Sequence, residues 1–348
     1  MLSCAGLAVI GPESAPSRGE LRSVSGTSAD VRSSLRCDRR GMTESPRPVL
    51  VGIDGTPSGL EALALGSAFA ILTGSPLLLG AVFGYQGGAF AGGLLWPPKA
   101  DVDGWLDAAS EQLGDFIPWT SETMLSTSPA HGLVELAERE NARMIVLGSN
   151  RHGPVGRVLA GSTARPVAHG APCAVAVAPH DWRTQPPEVP LTFGVGVGDA
   201  PESRDALALA ASFAAAANAP LKLFTAVHVA SPVHPMYAAT GTSYEAWRRD
   251  RLAEGQRVAR ETIAAVGPAV TPEIVVLEGD PVECLARVSH DLDVLVVGSR
   301  RFGPLRRALL GGVSSPLIDR AACPVVIVPR AEHADAAHAV TAAEVAHA

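Results

Sequence analysis

From residue 49 onward the chain alternates short, unbroken apolar runs with longer segments of helical periodicity. Runs at 49–53, 76–83, 144–147 and 174–178 are rich in Val, Ile, Leu and Ala, and are too short for stable helices. Such runs predict strands covered on both faces, as in a parallel sheet. A weaker strand is expected at 122–126. Between the runs, alanine- and leucine-rich spacing predicts helices over 58–72, 103–117 and 131–141, with a last one after Gly161. The whole order then returns. Strands are expected at 191–197, 220–229, 273–277, 294–297 and 325–328, and helices at 202–218, 243–266 and 281–290.

The return is a duplication. Gly148 matches Gly298, Gly161 matches Gly311, Cys173 matches Cys323 and Pro179 matches Pro329, each 150 residues on. V-G-I-D-G-T-P-S at 51–58 matches V-G-V-G-D-A-P-E at 195–202, at a separation of 144. Segments that keep their order at this spacing are whole domains; solenoid repeats are far shorter. Alternating β and α units wind right-handedly, so the fold class is α/β. Two tandem flavodoxin-like (HUP/Rossmann-like) doubly wound domains are expected, each with a five-stranded parallel sheet. Their boundaries are 46–180 and 191–330, joined by a proline-rich linker at 181–190. Residues 1–45 are rich in Ser, Arg and Gly, have no basic-then-apolar leader, and are expected to be disordered. Met42, which opens M-T-E-S-P-R-P, is a candidate natural start. The Ala- and His-rich stretch 331–348 is expected to be a frayed or disordered tail.

Composition narrows the partners. Hydrophobic residues at 47% against 18% charged imply a packed core, and a net charge of −7 argues against nucleic acid as the main ligand. No run reaches the ~20 apolar residues of a membrane helix. The five cysteines form no C-x-x-C pair, which points away from zinc and toward a reducing cytoplasm. Cys173 and Cys323 lie in apolar strand runs, where a thiol serves as a small core residue.

The candidate chemistry lies where the fourth strand of each half ends. There the chain reads V-L-G-S-N-R-H-G-P-V-G-R-V-L-A-G-S-T, from Val146 to Thr163. Ligands of open parallel sheets bind beyond the carboxyl ends of the strands. Gly148, with no Cβ, would leave the backbone open to a ligand, and Gly161, Ser162 and Thr163 would open the next helix. Free N–H groups there suit phosphate, and the hydroxyls suit either a phosphate oxygen or plain helix capping. A Walker A loop is absent, and the dinucleotide fingerprint would follow the first strand instead. Arg151, His152 and Arg157, like Arg300, Arg301, Arg306 and Arg307, would either neutralise an anion or form a solvated face.

These residues together resemble the universal stress protein family in its tandem two-domain form. The resemblance rests on Gly148 with Gly161-Ser162-Thr163, on Gly298 with Gly311, on the opening V-G-I-D-G-T-P-S and on the endings at 171–178 and 322–328. It implies a non-catalytic, ATP-binding stress regulator, with or without magnesium, and pairing through the fifth strand. That pairing would be either a homodimer or a pseudo-dimer within the chain. The alternatives are a scaffold without nucleotide and a slow ATP hydrolase. Carried over, Gly52, Ile53 and Asp54 would face the adenine or ribose, Val82 would flank the adenine, and Leu147, Gly148, Gly161, Ser162 and Thr163 would hold phosphates. In the second half the positions are Val227, Val297, Gly298, Gly311, Gly312, Val313 and Ser314. Two departures stand out. Arg151 and Arg301 replace a motif glycine, with Gly153 and Gly303 two residues later to supply flexibility. Gly198 replaces the aspartate, with Asp199 shifted by one, and Gly312 replaces the hydroxyl residue. The first half therefore keeps more of the site.

Overall fold

A computed structural model of the chain describes residues 46–84, 97–113, 117–149, 163–180, 182, 191–228, 243–299 and 312–329. The expectations for 1–45, for the tail beyond 330 and for most of the linker lie outside the described residues. The first half contains β1 (Val49–Gly52), α1 (Pro57–Thr73), β2 (Leu77–Phe83), α2 (Lys99–Ser110), β3 (Trp119–Leu125), α3 (Pro129–Arg139), β4 (Met144–Gly148), α4 (Ala164–Gly170) and β5 (Ala174–Ala178). The second half repeats it with β6 (Phe193–Gly196), α5 (Glu202–Ala217), β7 (Leu221–Val227), α6 (Tyr244–Val266), β8 (Glu273–Glu278), α7 (Pro281–Val288), β9 (Val294–Gly298), α8 (Ser314–Arg320) and β10 (Val325–Val328).

Each half builds a parallel sheet, and the two merge into one ten-stranded sheet of order β3-β2-β1-β4-β5-β10-β9-β6-β7-β8. The order within a half is thus 3-2-1-4-5, the Rossmann-like arrangement rather than the flavodoxin order. Successive strand residues face opposite sides. Val49 and Val51 enter one core with α1, α2, α5 and α6. Leu50 enters the other with α3, α4, α7 and α8. Both faces are covered, which is why the runs read as unbroken apolar.

The halves join where β5 and β10 pair antiparallel, with Val177 opposite Val325, Ala176 opposite Val326 and Val175 opposite Ile327. Val326 is the repeat copy of Ala176, so a local two-fold axis passes between them. α1 and α5 pack near that axis. Their copied residues Phe69 and Phe213 meet with ring centroids 4.9 Å apart, and both are essentially buried.

Local signals set the helix ends. Thr56 caps α1 by accepting from the Gly59 N–H, Pro57 follows, and Gly74 ends the helix at φ 61°. Asp280 caps α7 by accepting from the Val282 and Glu283 N–H groups. Two elements depart from expectation. α2 runs from Lys99 to Ser110 rather than over 103–117; it follows Pro98 in extended backbone, and an exposed Lys99–Asp103 ion pair at 2.8 Å spans its first turn. β3 begins at Trp119 rather than 122. It is an edge strand with Thr120, Ser121 and Glu122 exposed, so its apolar signal is weak, yet it pairs with β2 from Leu77–Trp119 to Phe83–Leu125.

Candidate functional site

Strand order reverses at β1, with β2 on one side and β4 on the other. The crevice beyond their carboxyl ends is a cavity of about 260 Å³. Gly52, Ile53 and Asp54 reach it from β1, Val82 from β2, Leu147 and Gly148 from β4, and Thr163 from the start of α4. The fold therefore gathers every first-half candidate among the described residues. Arg151, Gly153, Gly161 and Ser162 lie outside them. Sequence reasoning missed Gly59, Gly80, Pro97, Trp105, Pro129 and Leu133, which complete the wall. Trp105 packs against the turn after β1: a Cβ on Gly55, which has φ +71°, would stand 2.5 Å from the indole Nε1. No short-range pattern marks that contact, since 50 residues separate the two positions.

Two expectations about this cavity need correction. Gly148 does line it, but its missing Cβ does not open the backbone to a ligand. A Cβ there would stand 2.0 Å from the Ser58 carbonyl oxygen, so the glycine is required by the approach of α1 to β4. The Ser58 hydroxyl fastens the same contact by donating to the Ser149 carbonyl at 2.8 Å. Thr163, the residue before α4, makes no capping bond through its hydroxyl. α4 has only seven residues, so its macrodipole is short and adds little attraction for an anion. Asp54 is exposed and holds the turn: its Oδ1 accepts from the Thr56 N–H at 3.1 Å and from the Thr56 hydroxyl at 2.6 Å.

The second half has a matching cavity, also about 260 Å³, reached by Val297, Gly298, Gly312, Val313 and Ser314. Arg301, Gly303 and Gly311 lie outside the described residues. Val227 does not line this cavity; Ala226 does. The copy of Val82 is Ala226, and a one-residue offset on a strand moves the side chain to the opposite face. Val227 instead fits against α6, where a Cβ on Gly255 would meet its Cγ1 at 2.8 Å. Asp199 also turns away, lining a separate depression with Pro201, Arg204 and Thr262. The turn that Asp54 holds in the first half is held here by the Ser203 hydroxyl. It accepts from the Gly198 N–H at 3.0 Å and donates to the Gly198 carbonyl at 2.9 Å. Gly298 repeats the packing role of Gly148 more loosely, its Cβ position being 2.8 Å from the Glu202 carbonyl oxygen.

The cysteine expectation is met at both strand runs. Cys173 and Cys323 are buried, and burial pushes each thiol up to about 12. Among the described residues, no three His, Cys, Asp or Glu side chains come together as a metal site. No described helix is long and apolar enough to cross a membrane.

Comparison with known proteins decides the family. The family model described as "Universal stress protein family" matches residues 46–179 and again 192–329. The chain belongs to the universal stress protein family. A universal stress protein of Mycobacterium tuberculosis (strain ATCC 25618 / H37Rv) is 29% identical over 299 residues, covering 80% of this chain and 96% of the relative. Among solved structures, a functionally unknown protein from Pseudomonas aeruginosa PAO1 aligns with TM-score 0.58 at 18% identity, covering 82% of this chain and 93% of its own. A universal stress protein from Archaeoglobus fulgidus DSM 4304 aligns with TM-score 0.50 at 16% identity, over 82% of this chain and 98% of its own. At these identities the structural likeness speaks to the fold. The tandem domain pair is thus an arrangement of the universal stress protein fold, and the two cavities lie one in each copy.

Proposed function

We propose that this universal stress protein is a non-catalytic, cytoplasmic regulator that holds ATP in the cavity of its first half. One observation carries the reading: residues separated by up to 111 positions, from Gly52 to Thr163, converge on one crevice at the reversal of strand order. The cavity chemistry fits the ligand in kind. Ile53, Val82, Leu133 and Leu147 offer an apolar wall for a planar base. The second carboxylate oxygen of Asp54 suits ribose hydroxyls. The Thr163 hydroxyl, free of capping duty, and the glycine segment before it suit phosphate oxygens. Occupancy would then bias the conformation or partner binding of the domain pair, in which no hydrolysis is needed.

A scaffold role without nucleotide is the second reading. It is favoured by Gly148, whose bareness packing already explains, and by Asp54, whose Oδ1 is engaged in the turn. The separating experiment starts with denaturing the purified protein and chromatographing the supernatant for adenine nucleotide. ATP is then titrated calorimetrically into nucleotide-free wild type, Asp54→Asn and Gly161→Glu. Asparagine keeps the turn acceptor and removes the charge. Binding heat in wild type, weaker in Asp54→Asn and absent in Gly161→Glu, supports the ATP reading. No released nucleotide and no heat leaves the scaffold. ATP turnover that Asp54→Asn abolishes would overturn the non-catalytic assignment.

A further inference from the structure

The two cavities have the same volume, about 260 Å³, but carry their acids in different places. In the first, Asp54 stands exposed at the end of β1, with one oxygen engaged by Thr56. In the second that position is Gly198, and the acid is Glu202 at the start of α5. Glu202 is the copy of Ser58, which carries no charge and spends its hydroxyl on Ser149. Glu202 is only 9% exposed, yet it lines the cavity together with Gly298, Gly312 and Ser314. Its Cγ lies 2.9 Å from where a Cβ on Gly298 would stand, which puts the side chain on the strand-end side of the crevice. That is the side on which the first cavity presents Gly148 and Thr163. No hydrogen bond or ion pair to Glu202 exists among the described residues. The start of the 16-residue α5 favours a negative side chain there.

We infer that Glu202 closes the second cavity to anionic ligands, so that a chain with two copies of the domain carries one nucleotide. The inference rests on the nucleotide reading of the first cavity and adds the residue that makes the copies unequal. A nearly buried carboxylate with no counter-charge among the described residues repels a phosphate held in the same cavity. Asp54 does not have this effect, because it is solvated and lies at the end of the neighbouring strand β1. The loss of the hydroxyl at Gly312 weakens phosphate binding; Glu202 opposes it.

The test is the number of ATP molecules bound per full-length chain, measured by calorimetry and by equilibrium dialysis with labelled ATP. Four proteins are compared: wild type, Glu202→Gln, Gly161→Glu, and the Gly161→Glu/Glu202→Gln double variant. Glutamine keeps the size of the side chain and removes its charge. The expected counts are one, two, none and one, with second-site affinity rising at least about tenfold in Glu202→Gln. Two sites in wild type, or one site in wild type with no gain in either Glu202→Gln protein, overturns the inference and leaves the first-cavity reading standing; no binding in any of the four proteins overturns both. A gain in the double variant while wild type binds nothing overturns the first-cavity reading and keeps the role of Glu202. Should Glu202→Gln melt early, Glu202→Ser, which restores the first-half residue, carries the same comparison.

Discussion

Replacing Gly148 by alanine separates a packing glycine from a ligand glycine. The added Cβ would lie 2.0 Å from the Ser58 carbonyl oxygen, well inside contact distance, and both partners are backbone. No rotamer change relieves the clash, so the start of α1 must retreat from β4. Overpacking of this kind costs about 1–3 kcal/mol, and a backbone clash belongs at the upper end. The retreat also breaks the 2.8 Å Ser58–Ser149 hydrogen bond, worth about 1 kcal/mol. A loss of about 3–4 kcal/mol is expected, or a fall in Tm of roughly 5–6 °C for a chain of this size. The copy gives an internal scale: Gly298→Ala meets Glu202 at 2.8 Å and should cost about 1 kcal/mol. Gly104, inside α2 with nothing within 4 Å of its Cβ position, should gain about 0.5–1 kcal/mol as alanine. The assay is urea unfolding of nucleotide-free protein. If Gly148→Ala unfolds within about 0.5 kcal/mol of wild type and loses only ATP affinity, the packing argument is wrong.

The remaining predictions concern the frame. Phe69→Ala and Phe213→Ala, at the ring contact near the two-fold axis, should each cost about 3–5 kcal/mol in denaturant titration. Their double variant should cost less than the sum, because each truncation already removes the shared contact. Gly74 and its copy Asn218 both end helices in left-handed backbone, at φ 61° and 49°. Gly74→Ala should lose about 1 kcal/mol by thermal melting, whereas Asn218→Gly should change stability by no more than a few tenths. In native protein at pH 8, peptide mapping after alkylation should find Cys173 and Cys323 unmodified, since burial holds both thiols near about 12. The unfolded thiols ionise near 9.0, so their contribution to stability is intact below that pH and should be lost as pH rises from about 9 to about 12.

Much of the fold was legible because burial on both faces writes itself into composition. Runs such as Met144–Gly148 and Ala174–Ala178 can only be interior strands, and each was placed to within a residue. β3 was clipped by three residues because an edge strand needs fewer apolar side chains than it has backbone partners. At the site, residues adjacent to strand ends were visible from their glycines. Trp105 was not, because a helix residue 50 positions from Gly55 leaves no local trace of their contact. Val227 was misplaced for a simple reason: period-two alternation makes a one-residue error a change of face, and Ala226 is the residue at the cavity.

The sequence by itself determined the duplication and the fold class, which follow from periodicity and from matched spacings, and it carries the motifs through which the family model matches both halves. Tertiary structure decided what those residues are for. It assigned Gly148 to the backbone of Ser58, turned Asp199 out of the second cavity and pointed Glu202 into it. It also joined the halves through β5 and β10, with Ala176 facing its own copy Val326. The physical reason is common to all four. Each depends on a distance between segments that are remote along the chain, and such a distance exists only once the sheet has closed.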